Sequence, residues 1–342
     1  MCPFEPPAHW RRITTIDAHT AGEPLRVITG GYPELAGDTI LAKRRFAREH
    51  HDDLRRALML EPRGHADMYG CILTPPVTTD GDVGVLFLHN EGYSTMCGHG
   101  IIGLVKVGLD AGLFRPAADP VVRIDTPAGR VTATAHRGDD GRVSSVSFRN
   151  VPWFLLRRAV ALDVAGLGRV RLDLGYGGAF YAYADAASVG VELIPARFAQ
   201  IVDVGMRIKR AVMENIEIVH PEGDADLNFL YGTIFVERRA EGPVHSRNVC
   251  VFADGEVDRS PTGTGVSGRA AVHHARGELA LRERITIESL IGTPFDVEAV
   301  EELAVGGVPA IVPEVTGAAH VTGRHEFLLD PDDPLSDGVL LR

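Results

Sequence analysis

At 342 residues, with 45% hydrophobic and 24% charged residues, the chain has the makeup of a globular protein with a sizeable core and room for two domains. Its net charge of -11 excludes a broad nucleic-acid-binding face, so paired arginines such as Arg55-Arg56 read as solvated helix faces. No apolar run approaches membrane-spanning length, residues 1–12 lack the apolar stretch of a signal peptide, and Cys2, Cys71, Cys97 and Cys250 are scattered without a CxxC pair; the expectation is a cytoplasmic chain with neither a disulfide framework nor a zinc site.

Ile13 to His19 predicts a first strand, turning at Thr20-Ala21-Gly22-Glu23-Pro24 into a hairpin partner over Leu25 to Thr29. Apolar spacing over residues 38–60 predicts a helix with Asp38 as N-cap. After a turn at Pro62-Arg63-Gly64, residues 65–73 and 83–88 predict strands. The second strand delivers the chain to Ser94-Thr95-Met96-Cys97-Gly98-His99-Gly100-Ile101-Ile102-Gly103, which opens an apolar helix ending at Ala111, with Gly112 as its cap. A hairpin follows over residues 121–126 and 130–134, then a strand over 143–148. Strands at 168–173 and 179–184 flank Gly175-Tyr176-Gly177-Gly178, where we place the boundary between an N-terminal lobe (1–172) and a C-terminal lobe (173–326), with 327–342 returning to the first. Residues 198–212 predict a helix; 217–220 and 230–237 predict strands.

A second glycine turn then appears, Ser260-Pro261-Thr262-Gly263-Thr264-Gly265-Val266-Ser267-Gly268. With Cys97 set against Thr262, Gly98, Gly100, Gly103 and Gly112 fall on Gly263, Gly265, Gly268 and Gly277 at one constant offset. The following hairpins match as well: Ile124-Asp125-Thr126 and Gly129 against Ile287-Glu288-Ser289 and Gly292. The order strand, helix, strands, glycine turn with helix, hairpin therefore occurs twice, and an internally duplicated α/β protein is the expected fold class. One copy carries a thiol at the mouth of its turn, the other a hydroxyl.

Both turns fit G-x-G-x-x-G, but hairpins rather than a βαβ crossover follow them, which argues against a dinucleotide site. What the motif does supply is free backbone N–H groups at a helix N-terminus, and two such termini facing each other can clamp one small carboxylate. At that position the helix dipole favours a thiolate at Cys97. Cys2, Cys71 and Cys250 read as small buried hydrophobes. His99 can donate a hydrogen bond or act as an acid, though taken alone it reads better as a polar surface residue on the first helical turn. Asp258 reads either as a turn-forming carboxylate or as part of the site. Asp17, His19, His65 and Asp67 read as structural hydrogen-bonding residues, and His50-His51 and His273-His274 as surface pairs without metal-ligand spacing. Lys43, Lys106 and Lys209 are the only lysines, and none suits a pyridoxal phosphate Schiff base. No metal-ligand cluster is apparent, so the expected chemistry uses no cofactor.

Met96-Cys97-Gly98-His99-Gly100 and Asp258-Arg259-Ser260-Pro261-Thr262-Gly263-Thr264-Gly265 resemble the two signature motifs of the proline racemase family, and Asp17-Ala18-His19-Thr20-Ala21-Gly22-Glu23-Pro24 resembles its opening segment. The similarity runs to Phe327-Leu328-Leu329-Asp330-Pro331. It implies two pseudo-symmetric lobes, each with strands wrapped round a central helix as in diaminopimelate epimerase, and a cofactor-free site between them. Racemases and epimerases of the family set one cysteine on each face of the substrate's α-carbon; here the second is Thr262, too weak an acid to mirror a thiol.

Members with that change resemble enzymes that dehydrate trans-3-hydroxy-L-proline to 1-pyrroline-2-carboxylate. On this reading Cys97 takes the α-proton, the backbone N–H groups of Gly98, His99, Gly263 and Thr264 hold the carboxylate, Asp258 holds the ring ammonium and Thr262 positions the ring. The expected partner is an amino-acid substrate met in catabolism, with no nucleic acid or membrane; the oligomeric state stays open, a homodimer included. The rival readings are 4-hydroxyproline or proline epimerisation with re-protonation by water at Thr262, and a non-catalytic carboxylate-binding module.

Overall fold

The computed structural model describes residues 4–222, 225–239 and 242–341, so Cys2 lies outside the described residues. The chain opens with a hairpin of β1 (Arg11–Thr20) and β2 (Glu23–Gly30). Ala21 and Gly22 join them at φ of 51° and 98°, the left-handed pair that a two-residue hairpin turn requires. Helices α1 (Ile40–His50) and α2 (Asp52–Met59) follow, then β3 (Tyr69–Thr74), β4 (Val83–His89) and β5 (Tyr93–Ser94). Helix α3 (Gly98–Asp110) leads into β6 (Val121–Thr126), β7 (Gly129–Arg137), β8 (Val143–Arg149) and β9 (Trp153–Val164).

The second half runs through β10 (Gly168–Tyr176), β11 (Phe180–Asp185), α4 (Phe198–Asn215), β12 (Leu230–Arg238), β13 (Ser246–Phe252) and β14 (Glu256–Val257). It ends with α5 (Gly263–Ala275), β15 (Arg284–Glu288), β16 (Pro294–Val305), β17 (Val308–Gly317) and β18 (Ala319–Leu329).

Strand pairing repeats with the element order. β2 runs parallel to β3 and β4 to β6 in the first half; β11 runs parallel to β12 and β13 to β15 in the second. The hairpins β6–β7 and β15–β16 also correspond. The last strand of each half is exchanged. β9 pairs with β10, while β18 returns the full length of the chain to pair with β1, setting Ile13 opposite Phe327. All strands join one mixed sheet through β8–β17 and β9–β17.

Each glycine turn feeds a helix that lies inside the wrapped strands. α3 packs against β1, β2, β7, β8 and β18, and α5 against β9, β10, β13, β16 and β17. The sequence of α3 explains its position: Ile101, Ile102, Leu104, Val105 and Val107 are apolar right round the helix, which only a fully buried helix tolerates. Gly112 and Gly277 close the two helices at φ of 67° and 70°, as expected from their spacing. No helix among the described residues is long and apolar enough to cross a membrane.

Several expectations are corrected. The helix over 38–60 is two helices broken at His51, because Asp52 and Asp53 start a new first turn at the favourable end of a dipole. Thr39, not Asp38, caps α1, accepting from Ala42 N–H at 3.0 Å. Arg55 is buried rather than solvated, donating to Asp52 and to the carbonyls of His89 and Asn90. The strand expected over 65–73 begins only at Tyr69, after Asp67 at φ 63°. Residues 217–220 form no strand. The glycines at 175–178 form the hairpin bend between β10 and β11, and β10 spans positions 172 and 173. His273 is buried, accepting from Arg269 and bonded to Glu278.

Candidate active site

The two glycine turns meet. A Cβ built on Gly98 would lie 2.5 Å from the Gly263 Cα, and one on Gly263 equally close to the Gly98 Cα. Only two glycines let the N-termini of α3 and α5 approach this closely. Gly98→Ala should force the helix ends apart. A misplacement of about 1 Å at reacting groups costs on the order of a hundredfold, so kcat/KM is expected to fall to that extent while circular dichroism is unchanged.

Cys97 and Thr262 stand at equivalent places with different geometry. Cys97 is the extended N-cap of α3, at φ -147° and ψ 110°, and its Sγ accepts from Gly100 N–H at 3.3 Å. Thr262 sits at φ 66°, a strained conformation for a β-branched residue, and its side chain caps nothing. Its buried Oγ1 lies beside the Asp258 carboxylate and the Cys250 thiol without a well-formed hydrogen bond to either. The first N–H groups of both helices have no intrahelical acceptor, and Gly98, His99, Gly263 and Thr264, which carry them, line the cavity where the helix ends meet.

His99 and Asp258 complete the polar cluster. His99 Nδ1 lies 3.2 Å from Cys97 Sγ and 4.0 Å from Asp258 Oδ2. Asp258 Oδ1 accepts from Ser260 N–H at 2.8 Å, and Ser260 Oγ in turn accepts from Thr262 N–H at 3.1 Å, so the turn itself aims the carboxylate. All the expected site residues are therefore brought together. Of the structural candidates, Asp17 binds Arg26, His19 accepts from Gly22 N–H and Asp67 faces Arg259; His65 bonds the Ala66 carbonyl at the surface. None of these lines the cavity.

The walls were not legible from local pattern. Tyr69, Tyr181, Tyr231 and Phe252 come from four separate strands, and Met96 precedes the cysteine. Tyr181 Oη and Thr264 Oγ1 share a hydrogen bond of 2.7 Å, fixing the second helix end. Cys250 is buried as expected but also lines the cavity, which the reading as an inert core thiol did not anticipate. The enclosed space is about 20 Å³, enough for about one water.

Enclosure decides the electrostatics. Burial pushes the Cys97 thiol well above its usual range, outweighing the Gly100 N–H that favours the thiolate, and Asp258 raises it further. This corrects the dipole-based expectation of a standing thiolate: a helix dipole contributes up to ~2 kcal/mol, whereas desolvating an ion in an apolar site costs several. Burial likewise holds His99 neutral, its pKa lowered to about 3, and raises Asp258 to about 6. Glu23, fully buried behind Asp258, is raised well above the usual carboxylate range by burial and by Asp258 itself. In this enclosed form the site favours neutral groups and lacks a positive charge among its lining side chains. Among the described residues no three His, Cys, Asp or Glu side chains converge as a metal set.

A family model described as proline racemase matches residues 15–340. The chain is 48% identical to a protein of Colwellia psychrerythraea named trans-3-hydroxy-L-proline dehydratase, over 96% of this chain and 93% of that one. It is 43% identical to a Burkholderia multivorans protein named 3-hydroxyproline 2-epimerase, over 97% and 99%. The crystal structure of a hydroxyproline epimerase from Agrobacterium vitis, with bound trans-4-hydroxy-L-proline, superposes with a TM-score of 0.91 at 30% identity, covering 98% of this chain and 96% of the other. Matched along nearly all its length, and carrying a thiol and a hydroxyl at the two facing helix ends, the chain belongs to the proline racemase family.

Proposed function

We propose that the protein is a hydro-lyase that dehydrates trans-3-hydroxy-L-proline to 1-pyrroline-2-carboxylate and water. The observation that carries the reading is the unequal pair at the facing helix ends: one thiol, Cys97, with the His99 imidazole 3.2 Å away, and one hydroxyl, Thr262, with none of a thiol's acidity. The dehydratase name of the Colwellia relative supports it. The repeated wrapping of α3 and α5 supports two pseudo-symmetric lobes with the site between them. We divide them at the bend after β9, with β9 and β18 exchanged. The scattered free thiols suit a cytoplasmic setting.

The roles follow from the chemistry. Substrate enters when the two halves part, since its ring exceeds the enclosed space. The converging N–H groups of Gly98, His99, Gly263 and Thr264 hold the carboxylate and stabilise the enediolate-like charge that develops on it. Asp258 takes the ring ammonium, which supplies the positive charge the cavity lacks. That charge favours the thiolate, and the proton of Cys97 is lost to water as the substrate enters. In trans-3-hydroxy-L-proline the α-hydrogen and the 3-hydroxyl share a ring face. Cys97 can therefore take the α-proton and return it to the departing hydroxyl as water, in a syn elimination that regenerates the thiolate. The enamine left behind tautomerises to 1-pyrroline-2-carboxylate. Thr262 and the aromatic walls need only hold the ring.

Offering trans-3-hydroxy-L-proline, trans-4-hydroxy-L-proline and L-proline separately tests the reading. Imine product from the first alone is expected. The second reading, 2-epimerisation, is favoured by the name of the Burkholderia relative and needs a proton donor on the Thr262 face. Inversion with deuterium uptake in deuterated water, without imine, would establish it instead. Thr262→Cys separates the two chemistries within one protein. A thiol at that helix end can re-protonate the far face, so epimerisation of L-proline and trans-4-hydroxy-L-proline should become measurable by chiral chromatography. Dehydration should fall only modestly, because Cys97 still serves the face that carries both proton and hydroxyl.

A further inference from the structure

A second cavity, of about 310 Å³, lies behind α5 and is separate from the thiol site. Arg171, Arg238, Arg269 and Arg276 all line it. Arg276 is paired with Asp173, and Arg238 with Glu278 at 2.8 Å. Asp185, also in the wall, accepts from Ser188 N–H at 2.8 Å. That leaves Arg171, at the exposed mouth, and Arg269, at the floor, forming no ion pair among the described residues.

Arg269 is the unusual member. It is only 3% exposed, yet its one charged-group neighbour by hydrogen bond is the neutral side of His273: Nη2 donates to His273 Nε2 at 2.6 Å, while His273 Nδ1 donates to Glu278 at 2.6 Å. Its Nη1 is buried with no partner at all. Burial, with Arg238 and Arg276 close by, drags its pKa down to about 10. A buried guanidinium with an empty donor and like-charged neighbours is costly unless an anion joins it. Four rigid forks around one cavity are also the donor set that grips two-oxygen anionic groups.

We propose that this cavity is a binding site for a small dianion, a phosphate-bearing or dicarboxylate molecule, held by Arg171 and Arg269 with Arg238 and Arg276 at its sides. The site braces the catalytic helix from behind. Tyr183 forms part of its wall and donates to the Gly265 carbonyl at 3.3 Å, in the first turn of α5, and Arg269 follows one turn later.

The test is thermal unfolding of the full chain titrated with inorganic phosphate and, separately, with succinate, at ionic strength held constant with sodium chloride. A ligand of the native state raises the melting temperature with saturating dependence on its concentration. A saturable rise with either anion is expected; phosphate acting alone assigns a phosphate-bearing ligand, and succinate alone a dicarboxylate. Arg171→Glu, at the exposed mouth and safe for folding, should raise the apparent Kd at least about tenfold, the loss expected for one charge-assisted pair. Arg269→Met should abolish the effect. No saturable rise with either anion would overturn the proposal, as would a rise unchanged in Arg171→Glu, which would place the anion at the thiol site instead.

Discussion

Cys97→Ser should lose at least about a hundredfold in kcat/KM for dehydration, the usual cost of removing a general base, and in practice more, since a buried hydroxyl has no accessible anion. The change separates chemistry from structure unusually well. Cys97 Sγ accepts the Gly100 N–H as the N-cap of α3, and serine is a preferred N-cap residue. The melting temperature should therefore hold or rise slightly. On the proposed reading the carboxylate and ammonium contacts are backbone N–H groups and Asp258, none of which the substitution touches, so calorimetric binding of trans-3-hydroxy-L-proline should persist. Turnover within about tenfold of the parent would sink the assignment of Cys97 as the base.

How much of this was legible depended on distance along the chain. The two glycine turns, their offset and their caps could be read directly, because each glycine answers a local demand: Gly112 and Gly277 a left-handed cap, Gly98 and Gly263 a close approach. β9, β17 and β18 escaped the reading. β18 shows why: its burial runs Beeeieeeiii, without the alternation that marks a half-buried strand, and its partner is β1 at the far end of the sequence. The walls of the site were hidden for the same reason, since Tyr69, Tyr181 and Tyr231 converge only after folding.

The ionisation of Cys97 was misjudged for a different reason. The helix N-terminus that favours a thiolate is visible in the motif, but the enclosure that opposes it is built by strands far apart in the chain. Likewise Arg55 and His273 looked like surface residues because charge and pairing in sequence say nothing of the carbonyls and carboxylates that receive them.

Asp258→Asn should weaken catalysis and strengthen the fold at the same time. Losing one partner of a buried ammonium–carboxylate pair costs about 2–5 kcal/mol, or about thirtyfold to several thousandfold in kcat/KM. Asparagine keeps an oxygen to accept the Ser260 N–H, so the turn should survive. The stability effect has a defined sign. The folded pKa of Asp258 is raised, by burial, from 3.8 to about 6. The folded state thus binds the proton more tightly than the unfolded chain, and the stability this contributes is full below pH 3.8 and lost as pH rises through about 6. Above that window the protein carries the cost of a buried charge, on the order of 3 kcal/mol at most. Asparagine removes that cost, so the variant should melt higher than the parent at pH 8 and show no such gain at pH 4. In the same series the parent's kcat/KM should fall as pH drops through about 6, where Asp258 takes up its proton and can no longer hold the ammonium, and the variant's residual activity should lack that limb. Equal melting of the two proteins at pH 8, with activity intact, would mean that Asp258 is a turn-forming carboxylate and that another group receives the ring nitrogen.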